Sequence, residues 1–301
     1  MKNILWILIS VFAFGTVQAQ KLEKSLLWEI SGNGLEKPSY LYGTIHIIGT
    51  DDFFLTKNTK KVFKKSEQLA LEIDLDEMQN PMAIFGMLGG IMMDNNQSLK
   101  NLLSTDDYNL VHNYIMDSME MGMMATLVEK VKPIFLSQMI GMDLSSIGQD
   151  QPSVGGDSGS TSYEMVFSDM AKDQEIEMKG LETMAYQMSI FDSIPYKTQA
   201  EMLVSAIKGG GEDEAESLDE LVELYKKQDI EALNTLMAGD PSIANFNDVL
   251  LINRNKNWIP VIGQMAREKP TFFAVGAGHL PGDEGVIKLL RKAGYKLKPL
   301  Y

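Results

Sequence analysis

The chain predicts an α/β (or α+β) fold: a central mixed sheet flanked by many helices, with a large helical insertion. Three observations carry this. Six short apolar runs lie scattered among longer segments of helical spacing. No internal repeat or clean boundary divides them, so residues 20–301 read as one domain. Two of the runs end alike, in Gly43-Thr44-Ile45-His46 and Gly276-Ala277-Gly278-His279. Strand, glycine and then a polar residue is how many α/β sites are built, because glycine lets the backbone approach a ligand.

Taken in order, residues 1–19 read as a secretory signal peptide. Lys2 precedes an apolar run, Ile4 to Phe14, and Val17-Gln18-Ala19 is a small-x-small cleavage site. The run is too short for a membrane span, so the expected place of the mature chain is periplasmic or secreted. Leu26 to Ser31 and Ser39 to Ile47 read as strands. Gly32-Asn33-Gly34 between them makes the pair a hairpin. Leu55 to Glu67 is helical, and Leu69 to Asp74 is a short buried strand interrupted by Glu72. Residues 75–144 look helical, with a capping pattern at Ser104 and Asp107, apolar spacing at Tyr108, Val111, Ile115 and Met119, and Pro133 in a first turn. The polar, glycine-rich stretch Gly148 to Ser160 reads as a mobile lid. Tyr163 to Ala171 is a helix, and Glu175 to Met178 is a strand leading to Gly180-Leu181-Glu182-Thr183. Helices resume from Ala185 to Ile207, break at Gly209-Gly210-Gly211, and restart at the Ser217 cap. A long helix from Phe246 to Met265 carries Arg254. Thr271 to Val275 is a strand, Glu284 to Ala293 a helix, and Tyr295 to Tyr301 a last strand.

Composition narrows the chemistry. A formal charge of −14 argues against nucleic acid and anionic membrane surfaces as partners. No second membrane-length apolar run follows the first, so stable membrane insertion is not expected. With no cysteine, disulfides, a thiol nucleophile and thiolate metal ligands are all excluded. Three histidines remain. His112 sits beside Val111 on a helical pattern and reads as structural or surface. His46 and His279 share the strand-end frame, and with Glu72 they suit Zn²⁺, Mn²⁺, Fe²⁺ or Co²⁺. The alternative is that the same three are hydrogen-bonded structural residues. The methionines around Met116 to Met124 read as adaptable core or as a plastic surface for peptide or lipid-like ligands. The acidic run Glu212 to Glu223 lacks the oxygen spacing of a calcium loop.

Gly43-Thr44-Ile45-His46, Leu71-Glu72-Ile73-Asp74, Gly180-Leu181-Glu182-Thr183, Arg254-Asn255 and Val275-Gly276-Ala277-Gly278-His279-Leu280-Pro281-Gly282 occur in that order. Together they resemble the TraB/GumN family, over roughly residues 26–301. That family is related to the Tiki metalloproteases and more distantly to erythromycin esterases and ChaN-like proteins. The resemblance implies an α/β core in which the two Gly-x-x-His histidines and a strand-end glutamate form the active centre, with a divalent metal (Mn, Co or Zn) and a peptide or protein substrate. It adds Glu182, as a further ligand or base.

The expected roles are therefore these. His46, Glu72 and His279 hold a metal. Glu72 or Glu182 serves as base, and Arg254 faces a substrate carboxylate or a developing oxyanion. Tyr163 and Glu164, just after the lid, bind substrate. The leading expectation is a secreted metal-dependent hydrolase, most simply a peptidase. Two rivals share the same cleft: a non-catalytic module that binds a peptide signal, haem or metal, and a metal-free esterase-like hydrolase with a histidine base.

Overall fold

A computed structural model describes residues 22–76, 81–119, 125–138, 159–209, 212–238 and 246–301. The signal peptide expected at 1–19 lies outside these residues, as do 148–158 of the expected lid and 120–124 of the methionine-rich stretch.

All six strands expected from the sequence join one mixed sheet. In chain order the strands are β1 (Leu27–Gly32), β2 (Ser39–Thr44), β3 (Ile48–Gly49), β4 (Gln68–Leu71), β5 (Ser160–Thr161), β6 (Glu177–Gly180), β7 (Thr271–Gly276) and β8 (Tyr295–Pro299). The main sheet runs β6-β4-β7-β2-β1-β8, and β3 pairs separately with β5. The expected hairpin forms, with Leu27 opposite Tyr42 and Ile30 opposite Ser39. β6, β4, β7 and β2 are mutually parallel, so their carboxyl ends lie along one edge.

Three strands end earlier than expected. β2 stops at Thr44, β4 at Leu71 and β8 at Pro299. For β2 and β4 the cause is visible: His46 and Glu72 have left the ladder and their side chains make the strand-end contacts. β6 is displaced to Glu177–Gly180 because Glu175 takes a left-handed conformation, φ 55°, where the preceding helix ends. The two-residue ladder of β3 and β5 is too short to leave a periodic signal in the sequence. It ties the start of the helix Tyr163–Asp173 to the chain just beyond His46.

Apolar runs on β2, β4 and β7 fill the centre. Tyr42, Phe63, Phe167 and Phe272 stack there with almost no exposure. A second, smaller core lies in the helical part: Leu99, Val111, Ile115, Val128 and Leu136 pack with Leu203 and Val204. The helix Tyr196–Gly209, distant in sequence, thus closes the helices of residues 99–138. His112 stacks on Tyr108 beside this core, away from both Gly-x-x-His motifs in sequence.

The two motif turns pack directly on each other. Thr44 pairs with Gly276 at the ends of β2 and β7. A Cβ on Gly43 would lie 2.7 Å from Leu280 Cδ1 and 3.1 Å from Ala277 Cα. Gly43→Ala should therefore cost about 1–3 kcal/mol by overpacking, read as a lower midpoint in denaturant unfolding. An unchanged midpoint would contradict the close contact of the two turns.

Candidate active centre

Four ionisable side chains stand just past the four parallel strands. Glu72 directly follows β4, Glu182 is two residues beyond β6, His46 two beyond β2, and His279 three beyond β7. The crevice outside the carboxyl ends of the strands is where open α/β sheets bind ligands. Backbone pairing continues past β4 and β6, with Leu181 N–H donating to Leu71 O (2.9 Å) and Glu182 N–H to Glu72 O (3.0 Å). That register sets the two carboxylates side by side.

Between them comes Arg254. The expected long helix is in fact a π-helical turn, Asp248–Ile252, followed by Asn253–Glu268, and Arg254 lies at the junction. A guanidinium has five N–H donors, and all five are used. Nη2 donates to Glu72 Oε2 (2.5 Å) and Glu182 Oε1 (2.7 Å). Nε donates to Glu182, 3.0 Å from Oε1 and 3.3 Å from Oε2. Nη1 donates to Leu250 O (3.2 Å) and His279 Nε2 (3.1 Å). Trp258, one helical turn on, lies under the guanidinium at 4.8 Å and donates its indole N–H to Glu182 Oε2 (2.9 Å). Gln187 Nε2 reaches both Glu72 Oε2 and Glu182 Oε1 at 3.3 Å.

This wiring changes two expected roles. Arg254 has no N–H left for a substrate carboxylate or an oxyanion. Glu182 has both oxygens committed to Arg254, Trp258 and Gln187, and its side chain is only 5% exposed. It anchors the guanidinium and is not placed to act as a base.

His279 is buried, and its tautomer follows from its neighbours. Arg254 can only donate, so Nε2 is the acceptor. Asn255 Nδ2 donates to Glu284 O (2.9 Å), which turns Asn255 Oδ1 toward His279 Nδ1 at 2.6 Å. Nδ1 therefore carries the proton and the ring is neutral. Burial pushes its pKa down to about 3; Arg254 and His46 act in the same direction, and Glu72 opposes them. Glu72 is held at about 2: burial favours its neutral form, but His279, Arg254, His46 and the Gly276 N–H outweigh it. Since His279 is neutral at ordinary pH, Arg254 is the fixed positive partner of Glu72.

His46 is placed differently. Its side chain is 69% exposed, and Nδ1 lies 3.0 Å from Glu164 Oε1. Glu164 is itself fixed by Thr44 Oγ1 at 2.6 Å and Ser162 Oγ at 2.8 Å. The hydrogen bond to Glu164 raises the His46 pKa to about 9, with the negative charges of Glu164 and Glu72 adding to it and the positive charge of Arg254 opposing. Glu164 thus positions His46. Tyr163, also expected at the substrate, is fully buried in the aromatic core, and its hydroxyl donates to Phe54 O (2.9 Å).

The two motif histidines both lie beside Gly276. A Cβ on Gly276 would lie 3.4 Å from Glu72 Oε1, 3.6 Å from His279 Cδ2 and 3.9 Å from His46 Nε2. Among the described residues the least committed lone pairs of the centre are on His46 Nε2, which has no hydrogen-bond partner there, and on Glu72 Oε1, which accepts the Gly276 N–H at 2.9 Å. As arranged, the expected ligand set of His46, Glu72 and His279 does not fit a metal ion. The His279 lone pair is directed at Arg254, and no group of three His, Cys, Asp or Glu side chains among the described residues is arranged to hold one. Asn255, Trp258 and Gln187 were not expected at the centre. Asn255 and Trp258 had a weak signal, one and four residues after Arg254; Gln187 sits one turn into the helix capped by Thr183.

Comparison with known proteins bears out the family resemblance. The TraB/PrgY/gumN family matches residues 26–299. A Danio rerio protein named Metalloprotease TIKI1 is 23% identical over 325 residues, covering 91% of this chain and 63% of that one. Metalloprotease TIKI2 of Danio rerio is 21% identical, covering 93% and 62%, and that of Xenopus tropicalis 21%, covering 94% and 61%. The chain thus spans about three fifths of the length of these curated relatives. No solved structure matches.

The tautomer assignment is open to ¹⁵N NMR. His279 should show a protonated Nδ1 and a bare Nε2, and should not titrate between about pH 8 and about pH 4, well past the ordinary histidine value near 6.5. Its depressed pKa means that the unfolded chain binds the extra proton first. Its contribution to stability is therefore present above about 6.5 and lost as pH falls toward 3. A His279 signal titrating near 6.5 would contradict the assignment.

Proposed function

Because this chain belongs to the TraB/PrgY/gumN family, we propose that it is an exported hydrolase of the peptidase class, with His46 as its general base. The observation that carries this reading is the His46–Glu164 pair. One ring nitrogen is tied to a half-buried, thrice-bonded carboxylate, and the other has no hydrogen-bond partner among the described residues and lies near Glu72 Oε1 at the strand ends. A base oriented by a third group is the recurring arrangement for activating a nucleophile.

Each residue then has a task. Glu164 holds the ring with Nε2 toward the crevice and stabilises the imidazolium that forms when His46 takes a proton from water. Glu72 stays ionised and accepts the water's second hydrogen, so the oxygen is aimed at a substrate carbonyl. Arg254, Glu182, Trp258 and Gln187 keep Glu72 in place. The relatives' name supports peptide or protein substrates. It also supports dependence on a metal ion, without saying which, but the donor set in this chain does not add to that support. Export is supported by the apolar segment at residues 1–19, and no helix among the described residues is long and apolar enough to cross a membrane.

A base must lose its proton before it can act. With its pKa raised to about 9, His46 becomes active as pH rises, so kcat/KM on peptide substrates should climb up to about pH 9. Glu164→Gln removes the cause of the raised pKa. It should move the rising limb down toward about 6.5 and lower the plateau, while His46→Ala should cost about 10²–10⁴ in rate. Full turnover in folded His46→Ala would contradict the reading.

A further inference from the structure

The contacts of Arg254 have the pattern of a metal ion's contacts. One cationic group touches two carboxylates and an imidazole nitrogen: Glu72 Oε2 at 2.5 Å, Glu182 Oε1 at 2.7 Å and His279 Nε2 at 3.1 Å. Two anionic oxygens and a neutral imidazole lone pair are also what Zn²⁺, Co²⁺ or Mn²⁺ prefer. We infer that Arg254 is the built-in cation of this centre, and that its guanidinium closes a latent divalent-metal site formed by Glu72, Glu182 and His279.

Space and charge both support the exclusion. An ion bound to His279 sits about 2.1 Å from the nitrogen, along its lone pair. That direction is occupied by Arg254 Nη1, so the ion would overlap the guanidinium. Arg254 cannot give up its proton to relieve the conflict. Nor is it free to swing aside, since Leu250 O, Glu182 and the Trp258 ring hold it on three sides. The other donors to the carboxylates, from Gly276 N–H, Gln187 and Trp258, are neutral and would tolerate a metal in place of the guanidinium. His279 is already in the tautomer that a metal bound at Nε2 requires, with Nδ1–H fixed by Asn255 in the role of an outer-shell partner. Removing the guanidinium leaves two charges and one lone pair converging on an uncompensated space.

The test uses Co²⁺ as the probe, by visible absorption and calorimetric titration, on untagged full-length protein. Binding rather than turnover is read, so failure of the hydrolase reading leaves the result interpretable. Wild type should take up no stoichiometric Co²⁺. Arg254→Ala should gain one site per chain, at least about 100-fold tighter than wild type, and lose it again with Glu182→Gln or His279→Ala. A wild-type site that disappears in His279→Ala or Glu182→Gln overturns the inference, as does a folded Arg254→Ala that binds no Co²⁺. Should Arg254→Ala fail to fold, Arg254→Met keeps most of the apolar stem and serves in its place, and the wild-type titration still decides.

Discussion

One buried guanidinium shared by two carboxylates sets the form of the candidate centre. Arg254 is 8% exposed, and the side chains of Glu72 and Glu182 are buried at least as deeply. Three desolvated charges are stable only when each finds a close partner and its remaining hydrogen-bonding capacity is filled. Here that condition holds throughout: the guanidinium uses all five N–H groups, and each carboxylate takes additional bonds from neutral donors. The arrangement requires three chain segments to be in register at once: β4 for Glu72, β6 for Glu182, and the helix Asn253–Glu268 for Arg254. His279 joins through Nε2 and brings in the end of β7.

The centre therefore has two parts of different character. The inner part is buried, ionically matched and fully bonded, and so built to hold position. The outer part is His46 on Glu164, at the rim, with one ring nitrogen open. Glu72 joins them, with one oxygen bound inside by Arg254 and the other facing His46 and Gly276. On the proposed reading, the bonded interior orients the one exposed group that takes the proton, which is what pre-organisation for catalysis demands.

Much of this was legible in the sequence. The six sheet strands announced themselves as apolar runs, and the repeated Gly-x-x-His ending marked the two strand ends that meet at Gly276. Glu72 stood out because a carboxylate interrupting a buried strand needs a reason. What could not be read was who bonds to whom. Arg254 sits in the polar run Asn253-Arg254-Asn255-Lys256-Asn257, and nothing in that run says that its five N–H groups would all face inward. Its expected role at a substrate was lost to Glu72, Glu182 and His279, and with it went the expected metal set. Tyr163 and Glu164 are adjacent on one helix, yet one fills the aromatic core and the other holds His46. Helical geometry turns neighbours about 100° apart, so adjacency along the chain did not mean a shared surface.

The central claim is that Arg254 and Glu182 act as one unit in holding the strand ends together. A double-mutant cycle with Arg254→Met and Glu182→Gln, read as unfolding free energy in denaturant, tests it most directly. Leaving either partner buried without the other should be strongly destabilising, about 3–5 kcal/mol. The double variant should then be little worse than the worse single, giving a coupling of at least about 2 kcal/mol. Additive losses, with coupling below about 0.5 kcal/mol, would contradict the account.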